Sequence, residues 1–256
     1  LSVILLEIVM TAVGSFRIDE YLEERIYGDY MIGNANWTVA APRELDFRID
    51  EAYAQGADTW QGVSGKSELW TLNSEHILSE KGQKQFQKLD KEGKLEEGLY
   101  YKARAEDREK MGRGELALDE RRYAYSEDML ENLKPVKGEI DAEKFRSGKY
   151  VLLEMTFLEN AEVGDSCYEP GDKIILQTPT KDTEQEMVYD ENQELIGTFL
   201  TNLEKKEYEV MAVVENIPTS MNIHFFSTNS ITTILPLEEI KQSPEATMFA
   251  KSYTVE

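Results

Sequence analysis

The sequence predicts an α+β (mixed α/β) fold: a small mixed sheet with helices over 138–218, a second, irregular α/β lobe over 45–122, and an apolar helix ahead of both. Three observations lead there. Gly171-Asp172-Lys173-Ile174-Ile175-Leu176 is a polar turn opening an apolar strand, and 207–214 is a second strand opened by the charged 202–206 segment. Stretches of helical spacing run before and between them. With 256 residues, 41% of them hydrophobic, the chain can bury a substantial core.

The elements follow in order. Residues 1–16, LSVILLEIVMTAVGSF, are apolar nearly all round apart from Glu7. A helix of that length spans about 24 Å, short of the roughly 30 Å hydrocarbon core, and the stretch lacks the Met and basic residues that open a signal peptide. Two readings stay open from the residues alone: the outer half of a membrane helix, or a buried core helix. Ile18, Tyr21, Leu22 and Ile26 continue the apolar side, opposite Arg17, Asp19, Glu20, Glu23, Glu24 and Arg25, until Gly28 ends the helix. Residues 30–39 read as a strand; the sequon Asn36-Trp37-Thr38 carries no weight there.

Leu45, Ile49 and Tyr53 predict a short helix, 56–67 a Gly- and Ser-rich loop, and 69–72 a strand. Ser74 is placed to cap a helix starting at Glu75, with Ile77, Leu78, Phe86 and Leu89 inward and Gly82 as a weak point. Residues 99–103 are strand-like. The mixed-charge stretch 104–122, with Gly112 and Gly114, predicts a solvated loop with some helix. Ser126 reads as the cap of a helix with Glu127 and Asp128 in its first turn and Met129, Leu130 and Leu133 inward, stopped by Pro135.

Residues 151–154 form a strand, and Gly148 and Gly171 suit turns that an L-residue would strain. Asp172 can bond its own turn backbone. The polar run 180–194 is a solvated hairpin tip. Ile217-Pro218 ends the strand through Val210. Beyond lie Phe225-Phe226, a strand over 231–235, a short helix after Pro236 and a last strand over 248–255. No internal repeat is visible.

Charge separates the function classes. Fifty acidic against 28 basic residues give a formal net charge of −22, with a pI near 4.5. That excludes a nucleic-acid partner, which needs clustered Lys and Arg, and a domain lying flat on an anionic bilayer. It fits a solubilising surface, or one that attracts basic peptides. The lone Cys167 can form no intramolecular disulfide, and neither His76 nor His224 completes a Cys/His motif with it. Gly65-Lys66-Ser67 has the tail of a phosphate-binding loop, but Trp60 stands where its first glycine must be. Asp182, Glu184, Glu186, Asp190, Glu191 and Glu194 have the composition of a calcium loop without its required Gly and final Glu. Paired carboxylates are expected by chance among 50 acidic residues. The sequence therefore predicts no enzyme, no catalytic, cofactor-binding or metal-binding residues, and no cofactor.

Four segments, taken in order, carry a resemblance. They are the apolar helix running into Ile18-Asp19-Glu20-Tyr21-Leu22 and Gly28-Asp29-Tyr30-Met31-Ile32-Gly33; Tyr125-Ser126-Glu127-Asp128-Met129-Leu130-Glu131-Asn132-Leu133 followed by Gly138, Asp141, Phe145 and Ser147-Gly148-Lys149-Tyr150-Val151; Pro170-Gly171-Asp172-Lys173-Ile174; and Tyr208-Glu209-Val210-Met211-Ala212-Val213-Val214 with Ile217-Pro218. Together they cover about half the chain, and it resembles the extracytoplasmic domain of a MacB/FtsX-type ABC transporter permease of a Gram-positive bacterium. These are scaffold motifs and name no cargo.

The resemblance implies that 1–27 is the end of the first transmembrane helix and its stalk, 28–124 a first extracytoplasmic lobe, 125–218 a porter-like α/β subdomain, and 219–256 the strands that complete it. It also implies a returning stalk helix, which has no counterpart before Glu256. The expected setting is the cell membrane, with the domain on the extracellular face. The expected partners are a separate ATP-binding subunit, a second permease copy or permease partner, and peptide, lipid or lipoprotein cargo. The expected role is the coupling of ATP-driven stalk movement to export or sensing. The alternative is an acidic cell-surface or secreted binding module for cationic peptides.

Overall fold

The computed structural model of the protein describes residues 30–33, 56–92, 117–126, 130–131, 133–154, 168–214 and 231–255. In chain order the elements are β1 (Tyr30–Gly33), β2 (Val63–Ile77), α1 (Glu80–Lys91), β3 (Ala117–Tyr125), β4 (Pro135–Gly138), α2 (Ala142–Arg146), β5 (Tyr150–Glu154), β6 (Lys173–Thr178), β7 (Glu184–Tyr189), β8 (Leu195–Thr201), β9 (Glu204–Val214), β10 (Ile231–Pro236), α3 (Leu237–Ile240) and β11 (Thr247–Val255). A mixed sheet is present, but instead of a small sheet with helices over 138–218 it is a large one that draws strands from most of the chain and leaves few helices. Nine strands belong to it in the order β1-β11-β2-β3-β10-β5-β9-β4, with β6 paired to both β2 and β9; β7 and β8 pair only with each other. Strands from 28–124, 125–218 and 219–256 all enter the one sheet.

Because β6 touches both β2 and β9, six strands pair in a circuit: β2, β3, β10, β5, β9, β6 and back to β2. The β3–β10 and β5–β9 pairs are parallel and the other four antiparallel. Side chains alternate across a strand, so register fixes what faces inward. Leu72 and Ser74 on β2 lie opposite Arg122 and Glu120 on β3; Arg122 lies beside Thr233 on β10, and Thr233 opposite Leu153 on β5. Leu153 continues to Val213 on β9, and Tyr208 and Lys206 lie opposite Ile174 and Leu176 on β6. Nearly all of these are fully buried, and they form the inside of the circuit.

The opposite face carries Leu69, Tyr123, Tyr125, Leu152, Ala212, Val214 and Ile234, roofed by Leu130, Leu133 and Phe145 of α2. α3 plugs the inside at one end, with Ile240 against Leu72 and Ala124. Its Glu239 accepts hydrogen bonds from Lys206 Nζ and from Tyr208 Oη.

Several expectations need correction. Ser74 to Ile77 belong to β2, and the helix starts later. Ser79 caps it, its Oγ accepting the Gly82 N–H at 3.2 Å and its carbonyl the Gln83 N–H at 2.8 Å. The period of two through Leu72, Ser74 and His76 outweighs the capping signal, and the Ser74 hydroxyl donates to the Gln177 carbonyl at 2.5 Å. Gly82 does not divide α1; a Cβ there would lie 2.7 Å from Tyr168 Oη, so the missing side chain lets the helix rest on Tyr168. The supposed loop 56–67 becomes strand from Val63. Residues 117–122 are strand instead of solvated loop, with Ala117, Glu120 and Arg122 buried and the opposite charges of Glu120 and Arg122 satisfying each other. The Ser126 hydroxyl accepts the Glu68 N–H at 2.7 Å, which clasps β2 to the end of β3. Leu130 and Leu133 are buried as expected. The strands expected at 69–72, 151–154, 171–176, 207–214, 231–235 and 248–255 are all present, as is the short helix after Pro236.

The elements expected over 1–27, 34–54 and 99–103, and the expectations for Cys167, His224, Ile217-Pro218 and Phe225-Phe226, lie outside the described residues. Among the described residues no helix is long and apolar enough to cross a membrane.

Gly148 and Gly171 hold φ of +70° and +90°. Gly148 ends α2, its N–H reaching the Phe145 carbonyl at 3.1 Å, while Gly171 sits in the turn where Asp172 Oδ2 accepts the Glu169 N–H at 2.8 Å. A Cβ at 171 meets nothing within 4 Å, whereas at 148 it falls 2.5 Å from Glu239 Oε1. Gly171→Ala should cost about 1–2 kcal/mol for backbone conformation alone. Gly148→Ala should cost roughly 1–2 kcal/mol more, because it also displaces a carboxylate that holds Lys206 and Tyr208. Urea unfolding of both variants checks this, and equal losses would contradict it.

Candidate functional site

Three places gather polar or aromatic side chains in a way that could carry function. The first is the seam where the circuit closes. β2 and β6 share only the pairs His76–Leu176 and Ile77–Ile175, and beyond them the two strands separate. Side chains fill the gap. Arg122 Nη2 donates to the Gln177 carbonyl at 2.9 Å and Nη1 to Thr178 Oγ1 at 2.6 Å. Gln177 Nε2 donates to Glu75 Oε2 at 3.2 Å. Arg122 also grips Glu120 in a two-point bond, Nε to Oε1 at 2.9 Å and Nη2 to Oε2 at 2.7 Å, and Thr233 Oγ1 donates to the same Oε1 at 2.5 Å. Both charged side chains are at most 1% exposed. The cluster's donors and acceptors are turned on one another, which suits a structural pin.

The second place lies at the same seam beneath α1. His76 Nδ1 lies 3.0 Å from the Ile175 carbonyl and Nε2 lies 2.8 Å from Tyr168 Oη. A carbonyl only accepts, so Nδ1 carries the proton and Nε2 accepts from the tyrosine. Tyr168 Oη in turn accepts the Ser79 N–H at 3.1 Å. The chain of bonds holds the imidazole neutral. Burial strips water from the charged form and Arg122 repels it, against the opposing pull of the Ile175 carbonyl, and the His76 pKa falls to about 4.

The third place is on the surface, at the edge where β1 pairs with β11. Tyr30 lies opposite Tyr253 and Gly33 opposite Ala250. Beside them the Asp58 carboxylate takes Lys251 Nζ at 2.7 Å and Lys66 Nζ at 3.2 Å, joining a turn, β11 and β2. The bond to Lys251 is the largest reason its carboxyl titrates below the usual range. Trp60, half exposed, lies with its ring centroid 6.0 Å from that of Tyr253. Burial and then the Asp58 charge push the Tyr253 hydroxyl up to about 12. Tyr30 and Val255, the first and last described residues, therefore lie on adjacent strands, and this edge is the candidate functional site.

The motifs weighed in the sequence fall elsewhere. Lys66, of the truncated phosphate-loop match, is in β2 and bound to Asp58. The run 180–194 forms β7 and the turn after it, where the Asp190 carboxylate accepts the N–H groups of Asn192 and Glu194, each at 2.8 Å. Among the described residues no group of three or more His, Cys, Asp or Glu side chains could hold a metal ion. Sequence reasoning missed the Asp58, Lys66 and Lys251 cluster; Lys251 lies nearly 200 residues from the other two and no local pattern joins them. Glu120 and Arg122 had a usable signal, since they alternate with Tyr123 and Tyr125 in a strand period.

No protein-family model matches the chain, and no curated protein matches it.

The geometry of His76 predicts a pH dependence. The unfolded chain takes up a proton there near pH 6.5, the folded chain only near 4, so between these values the folded state binds fewer protons. Stability therefore falls as pH drops through that window, by about 3 kcal/mol over its width, and the effect vanishes above it, where both states are neutral. Urea unfolding of the parent and His76→Gln at several pH values checks this. The variant's loss between neutral pH and pH 4 should be smaller by that amount, and parallel profiles would contradict the assignment.

Proposed function

We propose that the chain is the extracytoplasmic domain of a MacB/FtsX-type ABC transporter permease, coupling ATP-driven stalk movement to export or sensing of peptides, lipids or lipoproteins. The observation that carries this reading is the β1–β11 pair. A domain inserted between two membrane helices must receive and return its chain at one place, and the antiparallel register of Tyr30 with Tyr253 supports this reading. The Asp58 bridge to Lys66 and Lys251 ties that edge to β2, so that force applied there passes into the sheet.

A second observation supports it. Three of the four segments that carry the resemblance assemble around one strand. β4, β5 and β6 each pair directly with β9, and α2 lies between β4 and β5 in sequence with Phe145 packed over Leu152 and Ala212. In this reading the β4–β9 assembly is the porter-like subdomain, and 1–27 is the membrane and stalk segment. The partners are a separate ATP-binding subunit and a second permease copy, and the domain faces the outside of the cell. Work enters through the stalks, and the domain itself performs no chemistry.

Topology tests this. In the full-length gene product, Cys167→Ser removes the chain's native thiol, other cysteines are replaced, and Glu191→Cys puts a probe at the exposed tip between β7 and β8. An impermeant maleimide should label intact cells. Labelling only after lysis would contradict the proposal.

A further inference from the structure

We propose that one face of the β7–β8 hairpin is a docking surface for a cationic, amphipathic polypeptide segment. This rests on the hairpin alone and stands apart from the permease reading. Register pairs Gln185 with Leu200, Met187 with Thr198 and Tyr189 with Leu195, so Met187, Tyr189, Leu195 and Leu200 share a face. Tyr189 Oη donates to Met187 Sδ at 3.5 Å along it. Met187 is 58% exposed, and Tyr189 and Leu195 are each 54% exposed; all three stand out among the described large apolar side chains. Among the described residues β7 and β8 pair with no strand of the main sheet. An isolated two-stranded hairpin gains little from its own burial, so an apolar face left outward is one built to be covered.

The hairpin is also held in shape ahead of any contact. At its tip the Asp190 carboxylate gathers two backbone N–H groups and Gln193 takes φ of +64°. At its base Thr183 Oγ1 accepts the Thr180 N–H at 2.8 Å. A surface fixed in advance spends less binding free energy on ordering.

Charge selects the occupant. Between 180 and 201 stand Asp182, Glu184, Glu186, Asp190, Glu191 and Glu194 against Lys181 alone, six acidic residues to one basic and a net charge of −5. A second copy of the chain would bring the same −5 to the contact and −22 overall. An anionic bilayer is repelled in the same way. A polypeptide segment with Lys or Arg beside apolar side chains satisfies both features: its apolar groups cover Met187, Tyr189 and Leu195, and its cations meet the acidic tip of Asp190, Glu191 and Glu194, while Glu184 and Glu186 alternate onto the opposite face of β7. Met and Tyr suit such a contact, one by adapting its shape and the other by presenting a large rigid area.

The test uses the 256-residue chain and three synthetic peptides of one length: alternating Lys and Leu, alternating Lys and Ser, and alternating Glu and Leu. Titration calorimetry should show that the Lys/Leu peptide binds the tightest. Its affinity should drop about tenfold or more in Met187→Ser/Tyr189→Ser/Leu195→Ser, while the conservative Met187→Leu/Tyr189→Phe retains it. Affinity should also fall in Glu191→Gln/Glu194→Gln and when NaCl rises from about 0.05 to about 0.5 M. Circular dichroism of each variant should match the parent. Equal binding by the triple-Ser variant, tighter binding of the Glu/Leu peptide, no binding of the Lys/Leu peptide, or preferential capture by phosphatidylglycerol vesicles would each overturn the proposal.

Discussion

The structure depends on a buried ion pair that closes a ring of strands. Glu120 and Arg122 lie two residues apart on β3 and point the same way, into the space enclosed by β2, β3, β10, β5, β9 and β6. Two bonds join them to each other, Thr233 of β10 adds a third to the carboxylate, and the remaining guanidinium reach extends to Gln177 and Thr178 of β6. Backbone pairing holds β2 to β6 over only two residue pairs. Past them the carbonyl of Gln177 would be left buried beside a departing strand, and Arg122 and Ser74 both donate to it. Desolvating two charges is expensive, and the expense is offset only when every bond is made. Here they are made, and the ring closes.

Once it is closed, the rest of the molecule is arranged around it. The inside is plugged by α3, the outside is roofed by α2 and the turn at Leu130, and β11 with β1 extends the wall beyond β2. Closure removes sheet edges from the middle of the fold and leaves two features on its periphery. One is the β1–β11 edge, from which both ends of the described fold depart. The other is the hairpin between β6 and β9, which leaves the ring and presents apolar side chains to solvent. The closed ring is thus separate from these two peripheral features. The buried polar clusters, by contrast, are turned inward and serve the closure.

How much of this was legible in the sequence depended on whether the deciding contacts were local. The strands at 171–176, 207–214 and 231–235 carry their own apolar runs, and the turns at Gly148 and Gly171 carry their own backbone demand, so each could be read in place. The 180–194 run read as a hairpin tip for the same reason. What failed was every assignment in which a polar residue found a distant partner. Ser74 looked like a helix cap because its acceptor, the Gln177 carbonyl, is 103 residues away. The charge-dense residues before Tyr123 looked solvated because the burial of Glu120 and Arg122 follows from strands 55 residues and more downstream. Ring closure has no sequence signature at all, since it depends on one strand, β6, finding two neighbours. The β1–β11 edge was hidden likewise.

A double-mutant cycle on the central pair bears most directly on this picture. Arg122→Met, Glu120→Leu and the double variant would be unfolded in urea beside the parent. If the pair closes the ring, each single change leaves the other charge buried and uncompensated and costs about 3–5 kcal/mol, while the double variant loses far less than the two combined. Losses that are small, below about 1 kcal/mol each, or that simply add in the double variant would show that the ring is held by its apolar lining and that the pair is incidental.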